Sequence, residues 1–201
     1  MKDKIIVATG NEGKMKEIRQ ILGGENIIFS SLKDENLQDV EIIEDGTTFE
    51  ENAVIKAKKI SELTGQMVLA DDSGLEVDYL DKAPGIYSAR YLGEDTSYKV
   101  KNNHIIKQLE GVEDEKRTAR FVCAMACVFP DGQVITTKGV IEGRIGYEEK
   151  GENGLGYDPI FYVPEFGCTT AELSPEEKNK VSHRGRALTE MYDKLKKRGI
   201  L

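Results

Sequence analysis

The chain has 201 residues, of which 39% are hydrophobic and 32% charged, with only 5 prolines; this suits a single globular domain spanning 1–201, with room for two lobes and a proper core. Its formal net charge of −8 disfavours non-specific nucleic-acid binding, which needs Lys and Arg to neutralise phosphates, but leaves open a small polyanion held by a few convergent cations. No apolar run approaches the roughly 18 residues of a membrane span. The start MKDKIIVATGN lacks the layout of a signal peptide, so a cytoplasmic protein with no membrane partner is expected.

Residues 4–9, KIIVAT, form a short apolar β run ending in TGNEGK, after which MKEIRQIL has helical spacing. In segment 49–64, Phe49, Ala53, Ala57, Ile60 and Leu63 recur at steps of three or four with Lys56 off the stripe, an amphipathic helix leading into a strand at 67–71. A parallel-type α/β unit is implied. Asp95 or Thr96 caps a helix that runs to about Leu109 and closes at Gly111. TARFVCAMACVF and QVITTKGVIEGRI flank Pro130-Asp131-Gly132, a hairpin signal between two long strands. Cys123 and Cys127 fall at even spacing on one face of the first strand and, with Cys168, read as small core residues rather than a disulfide or zinc set. The last third holds the glycine-rich GENGLGYDPIFYV, then a short helix, a polar break and a terminal helix whose KLKKRG end complements the helix dipole. A mixed α/β fold follows, with a long twisted sheet and helices packed on it.

Several stretches carry possible chemistry, each with a plain alternative. VLADDSGLEV, Val68 to Val77, interrupts a buried run with two carboxylates, a hydroxyl and a glycine. Asp71 and Asp72 are either caps of a solvated turn or charges that call for a metal and a phosphate. TGNEGK, Thr9 to Lys14, lacks the spacing of a P-loop but has its ingredients: small residues after a strand, a helix N-terminus and a lysine. It is an anion site or a simple βα turn. Lys56 reads alone as a surface lysine. Glu41, between Val40 and Ile42 in an extended segment, points either into a site or to solvent. GENGLGYDP is a plain Asn-Gly turn or a loop whose backbone donors let a flat ring approach. His104 reads as structural, and no Ser–His or Cys–His neighbours support nucleophilic catalysis.

Taken in order, TGNEGK, FEENAVIKA, LADDSGLEVDYLDKAPGIYSARY, NGLGYDPIF and AELSPEEKNKVSHRGRAL closely resemble the inosine triphosphate pyrophosphatase family over nearly the whole chain. The resemblance implies a long, bent mixed sheet with two lobes and an active cleft, a homodimer, Mg2+ dependence, and hydrolysis of non-standard purine nucleoside triphosphates such as ITP, dITP and XTP. By position Thr9, Gly10, Asn11, Glu12, Gly13 and Lys14 match the first substrate loop. Asp72 matches the catalytic carboxylate, Ser73 the adjoining contact and Glu41 a second metal carboxylate. Lys56, Leu155, Gly156, Tyr157, Asp158, Lys178, His183 and Arg184 match further substrate positions. Most relatives carry Phe where this chain has Leu155, which removes aromatic stacking from that position.

The implied reaction is attack of a metal- and carboxylate-activated water on the α-phosphorus, releasing monophosphate and pyrophosphate. Base choice is expected from hydrogen bonds at purine positions 6 and 1, with Arg184 or loop amides reading the first and Asp158 the second. Two other readings stand beside it: a pyrophosphatase for modified pyrimidine nucleotides, as in the similarly folded Maf family, and a non-catalytic nucleotide-binding regulatory module.

Overall fold

A computed structural model describes residues 3–24 and 26–201. The strands are β1 (Asp3–Val7), β2 (Ile27–Ser31), β3 (Val68–Val77), β4 (Ala83–Pro84), β5 (Thr118–Val128), β6 (Val134–Ile145), β7 (Phe161–Val163) and β8 (Cys168–Thr169). The α-helices are α1 (Glu12–Leu22), α2 (Phe49–Thr64), α3 (Tyr98–Gln108), α4 (Pro175–Val181) and α5 (His183–Lys197). Hydrogen bonding orders the strands β2-β1-β3-β5-β6-β7-β8, with β4 on β3. The fold is mixed α/β, as expected.

The chain divides into two compact units. The first comprises 1–72, 123–139 and 184–201. Here β1 pairs in parallel with both β2 and β3, and the sheet is buried on both faces, the usual fate of parallel strands with helical crossovers. Because side chains alternate along a strand, Ile5, Val7, Leu69, Cys123, Met125 and Cys127 face one way and pack with Met15 and Ile18 of α1 and Leu188 and Met191 of α5. Ile6, Ala8, Val68, Ala70, Ala126 and Val128 face the other way, onto Ala53, Ala57 and Ile60 of α2. Cys123 and Cys127 are thus core residues. Burial pushes both thiols up to about 12, so neither is a reactive thiolate.

The second unit comprises 73–122 and 140–183. In it β4 pairs antiparallel with β3, β7 with β6, and β8 with β7. Its core gathers Leu75, Val77, Ile105, Leu109, Phe121, Ile141 and Phe161.

Several boundaries move from expectation for physical reasons. DDSG is no solvated turn: it lies inside β3, with Asp71 and Asp72 both buried. α2 spans the expected 49–64 and starts at Thr48, whose side chain accepts from the Glu51 N–H. Its buried stripe takes Asn52 and Ser61, whereas Leu63 is 54% exposed. α3 is capped by Ser97, whose hydroxyl accepts from the Val100 N–H, rather than by Asp95 or Thr96. Glu41 lies outside any strand: Val40 and Ile42 pack on the core from irregular backbone.

Candidate active site

The two adjacent aspartates of β3 meet different surroundings because alternation turns them to opposite faces. Asp71 follows Leu69 onto the α1/α5 side. There Lys14, in the first turn of α1, places its ammonium 3.0 Å from Oδ2, and the Arg184 Nε at the start of α5 lies 3.6 Å away. Glu17, one turn along α1 from Lys14, holds the other end of that guanidinium at 2.5 Å. Burial alone would raise the Asp71 carboxyl, but Lys14, Arg184 and Lys56 outweigh it and hold Asp71 well below the usual carboxylate range. Asp71 is therefore ionised at neutral pH and gathers these cations around it.

Asp72 follows Val68 and Ala70 onto the α2 side. Lys56, two turns into α2, bridges there between Glu44 Oε1 at 3.0 Å and Asp72 Oδ1 at 3.9 Å. Burial pushes the Asp72 carboxyl up to about 6; Lys56 opposes the rise, and Glu44 and Asp71 add to it. Its Oδ2 is buried and has no hydrogen-bond partner among the described residues. A carboxylate with one oxygen in hand and an affinity for protons near neutrality is what a general base requires. The ammonium of Lys56, although penalised by burial, is kept charged by Asp71, Glu44 and Asp72.

Glu41 is exposed on its segment, and the carboxylate delivered to Lys56 is Glu44 instead. An alternating extended segment, as the sequence suggests there, does not single out Glu44, because the chain bends at that point. The signal was the Glu44-Asp45-Gly46 bend before the Thr48 cap, where the Gly46 N–H donates to the buried Asn52 Oδ1 at 2.9 Å. The Thr47 N–H donates likewise to Glu51 Oε2 at 2.6 Å. These bonds swing the segment back over α2.

The first loop forms the expected strand-to-helix junction. Thr9 Oγ1 accepts from the Asn11 N–H, and Asn11 caps α1 by accepting from the Lys14 N–H. Gly10 and Glu12 are exposed, and a Cβ on Gly10 would meet nothing within 4 Å. Exposed backbone thus leads into the N-terminus of an eleven-residue helix, which favours an anion.

The remaining matched positions lie in the second unit, with Ser73 at its first residue. The glycine-rich loop is held by Asp158, which is 1% exposed. Its Oδ2 accepts from the Leu155 N–H and from Lys178 Nζ, both at 2.6 Å, and its Oδ1 accepts from Thr170 Oγ1 at 2.7 Å. Both oxygens thus accept hydrogen bonds inside the protein, and Asp158 braces the loop. A Cβ on Gly154 would stand 2.2 Å from that same Oδ2, at φ +83°, so only glycine fits. Leu155 and Gly156 are half-buried. Tyr157 and Phe161 are core residues at 4% and 0% exposure and offer no ring to replace the missing phenylalanine. His183 is buried and stacks on Phe121 at 4.7 Å.

A buried carboxylate pair with sorted protonation, two lysines on it and a capped helix terminus make this an α/β protein with a polyanion-handling site. The Ham1 family model matches residues 5–194. A dITP/XTP pyrophosphatase of Bacillus licheniformis is 50% identical over 94% of this chain and 95% of its own. One from Exiguobacterium sibiricum is 48% identical over 94% of both chains. The solved Ham1 protein of Staphylococcus aureus superposes with a TM-score of 0.88 at 38% identity, covering 98% of this chain and 100% of its own. The chain belongs to the Ham1 family, the inosine triphosphate pyrophosphatase family that its motifs resemble.

Proposed function

We propose that the whole chain, 1–201, works as one Mg2+-dependent pyrophosphatase that cuts non-standard purine nucleoside triphosphates (dITP, ITP and XTP) into monophosphate and pyrophosphate, as a homodimer. The observation that carries this reading is the division of labour on β3: Asp71 is held ionised among cations, while Asp72 keeps a free buried oxygen and a raised pKa. The names of its close relatives point to the same substrates.

The residues present suit a magnesium ion. Mg2+ binds through one or two carboxylates and completes its shell with water and substrate phosphate oxygens; Asp72 and Glu44 would hold it, and no group of three potential ligands occurs among the described residues. When bound, it neutralises phosphate charge and lowers the pKa of a water. In the reaction Asp72 Oδ2 takes a proton from the attacking water as its oxygen bonds to the α-phosphorus. The bond from that phosphorus to the bridging oxygen breaks, and the electron pair leaves with pyrophosphate. Lys56 and Lys14 offset the charge that gathers on the leaving group, and the α1 N-terminus after Thr9–Asn11 receives phosphate oxygens. Arg184, committed to Glu17 and Asp71, positions this machinery, and the loop Leu155–Asp158 shapes the seat of the base.

The test is a nucleotide panel with Mg2+: dITP, ITP, XTP, GTP, ATP, dTTP and UTP, scored separately for pyrophosphate and orthophosphate. The expected result is pyrophosphate equal to monophosphate, with inosine and xanthosine nucleotides far ahead of ATP and GTP. Orthophosphate without added pyrophosphatase, or preferred turnover of dTTP and UTP, would overturn the assignment.

A further inference from the structure

We infer that Asn102, on helix α3, is a positioning residue for the glycine-rich loop Gly154–Asp158 and through it sets the affinity for the purine; this rests on the proposed function. The buried face of α3 runs Lys101, Asn102 and Ile105, with Leu109 capping its end, a helical stripe in which two positions that packing would fill with apolar side chains are polar. Lys101 donates to the Ala89 carbonyl at 2.7 Å and lies over the Tyr98 ring at 4.6 Å, which accounts for it within α3 and the preceding turn. Asn102 reaches further. Its Nδ2 donates to the Gly156 carbonyl at 3.2 Å and to Glu149 Oε1 at 3.0 Å.

The other end of that amide sets the orientation. Oδ1 is buried without a hydrogen-bond partner among the described residues. Exchanging the two ends would set an oxygen against two acceptors, so the amide is fixed as drawn. A buried acceptor left unsatisfied is unfavourable and calls for an explanation. Here the explanation is the grip of Nδ2 on Gly156. The same helix grips the loop a second time: a Cβ on Gly156 would stand 3.2 Å from the Tyr98 ring, and Tyr98 packs edge-on against Tyr157 at 5.2 Å. Tyr157 in turn donates from its hydroxyl to the Ser88 carbonyl at 2.6 Å. The loop is therefore held at Asp158 by Lys178 and Thr170, and at Gly156 by α3. Only the second hold fixes the plane of the peptide following Gly156, and with it the seat beside Leu155.

The experiment compares Asn102→Ala with Asn103→Ala, whose side chain is exposed on the same helix, and with the pair Asn102→Asp/Glu149→Gln. The pair rebuilds the bond between residues 102 and 149 with donor and acceptor exchanged but leaves a carboxylate oxygen facing the Gly156 carbonyl. Asn102→Ala is expected to raise KM for ITP roughly tenfold (about 1.4 kcal/mol) with kcat changed by less than about threefold, while Asn103→Ala alters neither. The paired variant is expected to recover thermal stability but not KM. Hydrogen exchange of the 154–158 amides, read without substrate, is expected to quicken in Asn102→Ala and in the pair. Unchanged loop exchange in a folded Asn102→Ala, or restoration of KM by the pair, would overturn the inference. Should Asn102→Ala not fold, Tyr98→Leu removes the second grip and must raise both KM and loop exchange for the inference to stand. Failure of the wild-type enzyme to turn over ITP would instead defeat the proposed function, leaving the exchange measurement to decide the role of Asn102.

Discussion

Neighbouring aspartates on one strand are separated electrically by the geometry of the strand. Asp71 turns to Lys14 and Arg184, and Asp72 to Lys56 and Glu44; the two cannot exchange roles, because each is surrounded by a different helix. Asp72→Asn keeps the shape and removes the carboxylate proposed as the base, so turnover of ITP should fall by at least about 100-fold in a protein that still folds. The acid side of the kcat/KM profile should fall below pH of about 6, where Asp72 gains its proton. Raising Mg2+ should move that limb to lower pH, because a bound cation favours the carboxylate. Glu44 and Glu41 offer a sharper discrimination. Glu44→Gln should increase the Mg2+ needed for half-maximal rate, and Glu41→Gln, exposed and away from Lys56, should leave it where it was. A magnesium titration of the two variants decides between them, and the opposite ranking would return the metal role to Glu41.

Elements with strong local signals were legible from the sequence. The α2 span is legible because Phe49, Ala53, Ala57 and Ile60 recur at steps of three or four, and in the structure the Thr48 cap and Gly65 at φ +67° close its two ends. The β5–β6 hairpin was read because Pro130-Asp131-Gly132 can do little but turn, and the Gly132 N–H donates to the Phe129 carbonyl. What escaped depended on partners distant in sequence. β2, the parallel neighbour of β1, is only five residues long, too short for its pattern to stand out even though Gly23-Gly24 marks a turn before it. The engagement of Asp158 with Thr170 and Lys178, 12 and 20 residues away, makes it a brace of its own loop, which no local pattern announces. The α2 cap also fixes which turn of the helix carries Lys56 to Asp72. Thr48→Ala should lower stability by about 1 kcal/mol, seen as a lower urea midpoint with unchanged slope. The ITP kinetics of the folded variant should be unaltered, because Thr47 and Gly46 keep their own bonds to Glu51 and Asn52.

Across the whole molecule the carboxylates perturbed by folding divide by sign, and stability should follow pH accordingly. Backbone and side-chain donors of Ser31 lower Asp34; Lys4 and Ser30 lower Glu35, Thr47 lowers Glu51, and Arg120 brings Asp78 to about 2. Asp71 is lowered as well. Such groups stabilise the fold above their unfolded values near pH 4 and lose that contribution only as pH falls through their folded values. Asp72 has the opposite sign: its folded value of about 6 exceeds the unfolded 3.8, so the native state binds the extra proton. Its burial is least costly below pH 4 and fully unfavourable above pH 6, and stability falls between them. With a chelator present to remove divalent cations, Tm should peak near pH 5, between the two sets of transitions, and decline toward pH 7. The net charge of −8 at pH 7 adds self-repulsion in the same direction, so the wild-type curve alone cannot isolate Asp72. Asp72→Asn can. It should flatten the decline between pH 5 and 7 and leave the inactive variant more stable than the wild type at pH 7.5 by about 1–3 kcal/mol, or several degrees in Tm. Added Mg2+ should close that gap by raising the wild type alone. A variant less stable than the wild type in chelator would mean that the ionised Asp72 is a net support of the fold, held by Lys56 more strongly than burial penalises it.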